Sequence, residues 1–328
     1  MRSSRTLAPL LCAMQPRCRA VHQMALSPSL DEQARLIAGF RQRIAACNQP
    51  GPPSVPFFVG AEQAGELAAS LVQELENYPE VFDVSKESVQ LVDSLVAASV
   101  DERTAALAKV TAGLHEAGLV KGWRDELLSL ATSFDEPPVV LIERACLPIF
   151  GGKGYGVFVC GFTEHPKTGA PFLWIATRSR TKQTWPGMLD TVVGGALSAG
   201  LSPVDAVVKE AGEEAGVHAD LARQARATSI CSYRGTDERG FLKRDVLFCF
   251  DLALPWDFVP SAVDGEVECF ERMPLAAVAE AVAYCTPAAF KPNINLVMID
   301  YLVRSGYVTP EAPGYLQLVA ELRSGDPR

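Results

Sequence analysis

The stretch VVGGALSAGLSPVDAVVKEAGEEAGV, residues 192–217, decides how the rest of the chain is read. It begins as a glycine-rich loop and turns into a helix bearing three closely spaced carboxylates. Ser202 suits the N-cap, Pro203 the first helical position and Asp205 a capping box, while Gly216 can take the left-handed conformation that ends a helix. At 100° per residue, Val204, Val207, Val208, Ala211 and Ala215 share one apolar arc, and Glu210, Glu213 and Glu214 share another. One face is therefore expected to pack and the other to gather negative charge. Like charges at i, i+3 and i+4 cost roughly a few tenths of a kcal/mol per pair. A divalent cation reverses that sign, and oxygen ligands with room for water and phosphate suit Mg²⁺ or Mn²⁺. For E-x-x-E-E alone a solvated acidic face is the better reading. The glycine loop, cap and terminal glycine in fixed order favour a metal site.

The segment resembles the signature of the Nudix hydrolases, G-x5-E-x7-R-E-apolar-x-E-E-x-G-apolar. Gly195, Glu210, Ala211, Glu213, Glu214, Gly216 and Val217 match it, while Leu201 replaces its first glutamate and Lys209 its arginine. Lysine still pairs with a carboxylate, without the bidentate fork of arginine. The resemblance implies an α/β protein, a Nudix α/β/α sandwich with a mainly helical N-terminal extension, and a metal-dependent hydrolase. It implies Glu210, Glu213 and Glu214 as metal ligands, with Glu213 and Glu214 central to catalysis and Lys209 orienting a carboxylate.

Outward from this stretch, 328 residues with 48% hydrophobic composition allow about two domains and a real core. Residues 1–30 carry Arg2, Arg5, Arg17 and Arg19 with no acid before Asp31, the composition of an organellar transit peptide; a disordered tail is the alternative. Chloroplast and mitochondrion are not separated by it, and without targeting the cytoplasm is expected. The apolar run 7–14 is too short to span a membrane. Leaving those arginines aside, 26 basic residues face 39 acidic ones, which argues against general nucleic-acid binding. Nine cysteines without a C-x-x-C pair read as reduced, buried thiols, and four histidines show no zinc spacing.

Residues 31–137 are expected to form the mainly helical N-terminal domain, with helices at 36–47, 61–75, 88–100, 101–117 and 123–130 and a short strand at 55–59. Pro137 and Pro138 mark a change of period. Strands are expected at 139–142, 155–162, 172–177, 228–233 and 245–252, and the hydrolase domain at 138–285, closing with a helix at 275–284. Helices at 294–305 and 315–322 complete a C-terminal segment, 286–328.

Just upstream of the glycine loop lies Arg178-Ser-Arg180-Thr-Lys182, whose cations, with the backbone at Gly194 and Gly195, are candidates to bind phosphate; a solvated turn is the bland alternative. In DGEVE, 264–268, Glu266 and Glu268 are spaced to share one side of an extended segment. Either is a candidate to replace the carboxylate missing at Leu201, Glu268 as metal ligand or Glu266 as general base. Core packing is the default for Trp185, with stacking on a heteroaromatic ring as the alternative.

A narrower resemblance rests on GWRDE at 122–126, IERA at 142–145, YGV at 155–157, Thr181-Lys182, PGMLD at 186–190, DGEVE and FKPN at 290–293. Together these are similar to the thiamine pyrophosphokinase-related Nudix proteins of plants and fungi. That likeness implies a diphosphatase that converts thiamine diphosphate, or its oxidised and damaged analogues, to monophosphates as metabolite repair; it does not imply kinase activity. Phe158 and Cys160 replace two polar positions of the family pattern, so substrate preference can differ. The expected partner is a small-molecule diphosphate, with no nucleic acid and no membrane, acting as a monomer or homodimer. Two other readings stand beside it: hydrolysis of nucleoside diphosphate derivatives such as ADP-ribose, and a diphosphate-binding module with impaired catalysis. An isomerase would need an acid/base pair acting on carbon, which the sequence does not present.

Overall fold

The computed structural model describes residues 27–286 and 288–325, so the expected leader lies outside the described residues up to residue 26. Helix α1 (Leu30–Cys47) opens on Ser29, whose hydroxyl accepts the Glu32 N–H. Strands β1 (Ser54–Val59) and β2 (Glu62–Ala68) pair antiparallel. After the short helix α2 (Val72–Leu75), β3 (Phe82–Val84) and β4 (Val89–Leu91) complete a sheet of order β2-β1-β4-β3. The one-turn helix α3 (Asp93–Val96) leads into α4 (Val100–Glu116), which begins with a reciprocal Ser99/Glu102 capping box. Strands β5 (Leu127–Leu130) and β6 (Val140–Glu143) form a separate antiparallel ribbon.

The helices expected at 61–75, 88–100 and 123–130 are corrected in part: β2 and β4 take the first portions of 61–75 and 88–100, with the one-turn helices α2 and α3 after them, and β5 takes the end of 123–130. Their pattern satisfies a helical period, but the pairing partners lie elsewhere in the chain, and that tertiary pairing outweighs local propensity. In β2, Glu66 and Ala68 donate their N–H groups to the carbonyls of Phe150 and Ile149. Gly65 makes that approach feasible, because a Cβ there would stand 2.1 Å from the Phe150 carbonyl oxygen.

The main sheet begins with β7 (Lys153–Glu164), β8 (Pro171–Arg178), β9 (Leu189–Asp190) and β10 (Val193–Ala196). Helices α5 (Pro203–Ala215) and α6 (Ala219–Ala222) follow, then β11 (Arg226–Thr236), β12 (Leu242–Ala253) and β13 (Val267–Pro274). The chain closes through α7 (Leu275–Tyr284), α8 (Pro292–Arg304) and α9 (Tyr315–Glu321). The strand order is β11-β12-β7-β8-β13, with β10 added to β7 and β9 to β8. One edge of β7 is shared: residues 156–159 pair with β10 and 162–164 with β8. The two partners therefore diverge, and a cleft opens between them.

Alternation along the strands builds a layer on each face of the sheet. Val157 and Val159 of β7, with Trp174, Phe250 and Leu252, pack against Ala206, Val207, Ala211 and Ala215 of α5. On the other face Phe158, Cys160, Leu173 and Ile175 join α7, α8 and the Leu36, Ile37, Phe40 and Ile44 stripe of α1. The result is the expected α/β/α sandwich, with α1 contributing to its second layer. Val204, placed by periodicity in the apolar arc, is 45% exposed; Ala206 takes the buried position instead. Small residues on that stripe let α5 lie close to β10, which sets the distance between the carboxylates and the glycine loop. Among the described cysteines, five are free and buried, and Cys269 and Cys285 are free and exposed, which corrects the expectation for those two.

Candidate active site

The end of α5 is fixed by its caps. Ser202 Oγ accepts the Asp205 N–H at 3.1 Å and donates to Asp205 Oδ2 at 2.7 Å, and Gly216 sits at φ 63°. Glu214, 8% exposed, accepts the Gly194 N–H on Oε2 at 2.9 Å. Burial first, then the nearby carboxylates of Asp190 and Glu210, push its carboxyl up to about 8, against the pull of the Gly194 N–H and Lys182. Glu210 lies over the loop at Gly195, where a Cβ would stand 2.6 Å from the Glu210 Cδ. Lys209 donates to Glu210 Oε1 at 3.1 Å and to the more exposed Glu213 Oε2 at 2.8 Å, and these bonds, that to Glu213 foremost, raise its pKa. The three carboxylates, the lysine and both glycines are thus brought together. Gly195→Ala is expected to displace the Glu210 carboxylate and to lower turnover about tenfold or more, with little change in melting temperature; kinetics and a thermal melt read both quantities.

The facing wall is built by β8, β9 and the start of β13. Arg178 is buried, and its guanidinium donates to Asp190 Oδ2 at 2.8 Å, the Thr184 carbonyl at 2.9 Å and the Trp185 carbonyl at 3.0 Å. Its cation therefore pins the 179–188 loop and pairs with Asp190, while the residue still lines the cleft. Trp185, held in that loop, has φ 52° and is 38% exposed, so its ring is not core. Lys182 pairs with Glu266, yet burial and the neighbouring Arg178 push its ammonium down to about 8. Arg180, 85% exposed in its side chain, pairs instead with Glu268 at 3.3 Å.

A register shift in β13 between Val267 and Cys269 explains that division. Glu266 lines the cleft with Arg178, Lys182, Asp190, Gly194 and Glu214, whereas Glu268 is not among the lining residues. The expectation of a shared side for Glu266 and Glu268 is corrected accordingly. Leu201 packs against the apolar layer under α5, consistent with the loss of a carboxylate there. Asp190 and Thr191 line the cleft without having been singled out from the sequence. Asp190 stood inside the PGMLD motif, but no spacing rule tied it to Arg178.

The donor set around α5 is all carboxylate oxygen, with one member, Glu214, buried beside the further carboxylates of Asp190 and Glu210. That chemistry fits a hard divalent cation. Among the described residues a further trio, Cys231, Cys249 and Asp300, has ligand atoms within 4.8 Å of one another. Asp300 is already held by Ser229, Arg304 and Arg323, and the trio lies under α8 in the core. No helix among the described residues is long and apolar enough to cross a membrane.

Comparison with known proteins adds an independent line. A family model described as "NUDIX domain" matches residues 135–291, and one described as "Domain of unknown function (DUF4743)" matches residues 39–154. The chain is 39% identical over 293 residues to "Nudix hydrolase 24, chloroplastic" of Arabidopsis thaliana, covering 88% of this chain and 79% of that protein. It is likewise 39% identical over 300 residues to "Nudix hydrolase 20, chloroplastic" of the same plant, with 88% and 79% covered. Among solved structures, the NUDIX domain of Shewanella oneidensis NrtR complexed with ADP ribose matches 43% of this chain and 82% of that one, at 18% identity and TM-score 0.34.

Proposed function

The chain belongs to the Nudix hydrolases, and from that premise we propose that it cleaves the diphosphate bond of thiamine diphosphate or of its oxidised and damaged analogues, releasing monophosphates. As a Nudix hydrolase it acts on small-molecule diphosphates with a divalent metal ion. The narrower substrate rests on the motifs shared with the thiamine pyrophosphokinase-related proteins, and the observation that carries the site is Glu214: a buried carboxylate tied to the Gly194 N–H, facing Lys182 and Arg178 across one cleft.

In this reading Glu210, Glu213 and Glu214 hold the ion, Mg²⁺ or Mn²⁺, and Lys209 fixes the orientation of two of them. When bound, the ion supplies polarisation of a phosphoryl oxygen and a lowered pKa for water. Glu266, on the opposite wall, accepts the proton of the attacking water, and Glu213 and Glu214 set the position from which that water is delivered. Lys182 faces the charge that develops on the phosphoryl oxygens. Arg178 keeps Asp190 neutralised and the 179–188 loop in place. Exposed on that loop, Trp185 offers a ring face for the heteroaromatic end of the substrate.

The chloroplastic names of the two plant relatives and the acid-free, arginine-bearing leader support a chloroplast address; a fluorescent fusion of residues 1–35 that stayed in the cytosol would exclude it. A binding module with impaired catalysis is the second reading, favoured by Leu201 and Lys209. The deciding assay separates and quantifies the monophosphate products by chromatography after incubation with Mg²⁺ of each member of a panel: thiamine diphosphate, its oxidised analogues, ADP-ribose, nucleoside diphosphate sugars and isopentenyl diphosphate. Fastest turnover of the thiamine compounds is expected. Preference for ADP-ribose would refute the substrate assignment, and tight binding without any turnover would establish the binding module.

A further inference from the structure

Most of the cations in and near the cleft are matched. Arg144 pairs with Glu126 at 2.8 Å, Arg178 with Asp190 at 2.8 Å, and Lys182 with Glu266. Among the described residues, neither Arg124 nor Lys291 forms such a pair. Both are partly buried, and both have Arg144 and Arg178 among their charged neighbours. Burial chiefly, with those like charges adding to it, pulls both groups below their ordinary values, against the opposing carboxylates of Glu126 and Glu143 near Arg124 and of Asp190 near Lys291. Unmatched cations crowded in this way are costly until an anion arrives.

Each is held firmly in place. Arg124 belongs to the segment 122–126, whose backbone is clamped by Glu143, which accepts the N–H of Arg124 at 2.9 Å and of Glu126 at 3.2 Å. Glu126 in turn accepts the hydroxyl of Ser198, in the glycine loop, at 2.6 Å, and Ala199 donates its N–H to the Leu127 carbonyl at 3.0 Å. Asp125 takes φ 57°, an unusual conformation for a residue with a side chain, and its carboxylate accepts the Trp123 indole N–H at 2.8 Å. Lys291 is anchored by its N–H to the Leu189 carbonyl, beside Asp190, at 2.9 Å. Its ammonium stands 5.8 Å from the centroid of the Phe158 ring. That same ring lies against Gly194, where a Cβ would meet Phe158 Cδ1 at 2.9 Å. The segments that carry the two residues thus flank the glycine loop, one from the N-terminal part of the chain and one at the start of α8.

We propose that Arg124 and Lys291 form a phosphate-binding pair at the cleft, receiving one phosphoryl group of a diphosphate substrate; the pair deepens the hydrolase reading and rests on it. A phosphate brings the negative charge and acceptor oxygens that both groups lack. Arg124 lies within residues 39–154, so the segment matched as a domain of unknown function supplies a substrate contact to the sandwich.

Calorimetry with inorganic pyrophosphate and the metal-free full chain in chelator tests the pair directly. Wild type is expected to bind, Arg124→Met and Lys291→Met each to weaken binding roughly tenfold or more, and Lys109→Met, an exposed change on α4, to leave it unaltered. Thermal melts establish that the variants are folded, and Arg124→Gln and Lys291→Gln supply the reading if either methionine variant is not. Wild type that does not bind, or folded variants that bind as wild type does, would overturn the pair. Weakened binding in the variants without turnover of any diphosphate by wild type would leave the pair standing and the hydrolase reading refuted. Unweakened binding with normal turnover would do the reverse.

Discussion

Glu214→Gln is expected to reduce diphosphate hydrolysis on the order of 100-fold or more, since even partners one step removed from a metal cost 10–100-fold. It is also expected to remove the stabilisation that Mg²⁺ confers. At about one hundred times its dissociation constant a ligand adds about 2.7 kcal/mol to the native state, which for a chain of this size shifts the melt by several degrees. Without metal the variant should melt no lower than wild type. The amide still accepts the Gly194 N–H, and it carries no charge into a buried position. A variant that kept wild-type turnover, or kept its Mg²⁺-dependent shift, would remove Glu214 from the site.

The largest loss of stability is expected from Arg178→Met. Both members of the Arg178–Asp190 pair have side chains no more than 10% exposed. Removing the guanidinium leaves a buried carboxylate without its cation and frees the carbonyls of Thr184 and Trp185. Breaking a buried pair from one side costs about 3–5 kcal/mol. Chemical denaturation measures the loss, and Arg178→Met combined with Asp190→Asn should recover much of it, because the orphaned charge is gone. An Arg178→Met protein as stable as wild type would show that the arginine does not hold the loop.

How far the sequence carries depends on the range of the interactions involved. Helix α5 was legible because its caps, its apolar stripe and its carboxylates all lie within one short stretch, and the structure changes only Val204 for Ala206 in the buried stripe. Strands β2, β4 and β5 were not, since their identity comes from partners remote in the chain. At the site the same division holds. Spacing alone made Arg178, Arg180 and Lys182 equivalent cations, whereas burial separates them into a loop anchor, an exposed residue and a cleft residue. A bulge, invisible in DGEVE, sends Glu266 into the cleft and leaves Glu268 with Arg180. Asp190, Arg124 and Lys291 carried no spacing rule, and what distinguishes them is which charges the fold places beside them and which it withholds.

The most direct measurement incubates the purified full chain with thiamine diphosphate in ¹⁸O-labelled water, with Mg²⁺ and with chelator in parallel, and identifies the products by mass. Thiamine monophosphate and orthophosphate are expected, with a single ¹⁸O incorporated between them, formed with Mg²⁺ and not with chelator. Absence of products above the metal-only blank, or their formation at the same rate in chelator, would contradict metal-dependent cleavage of this diphosphate at the Glu210, Glu213 and Glu214 site.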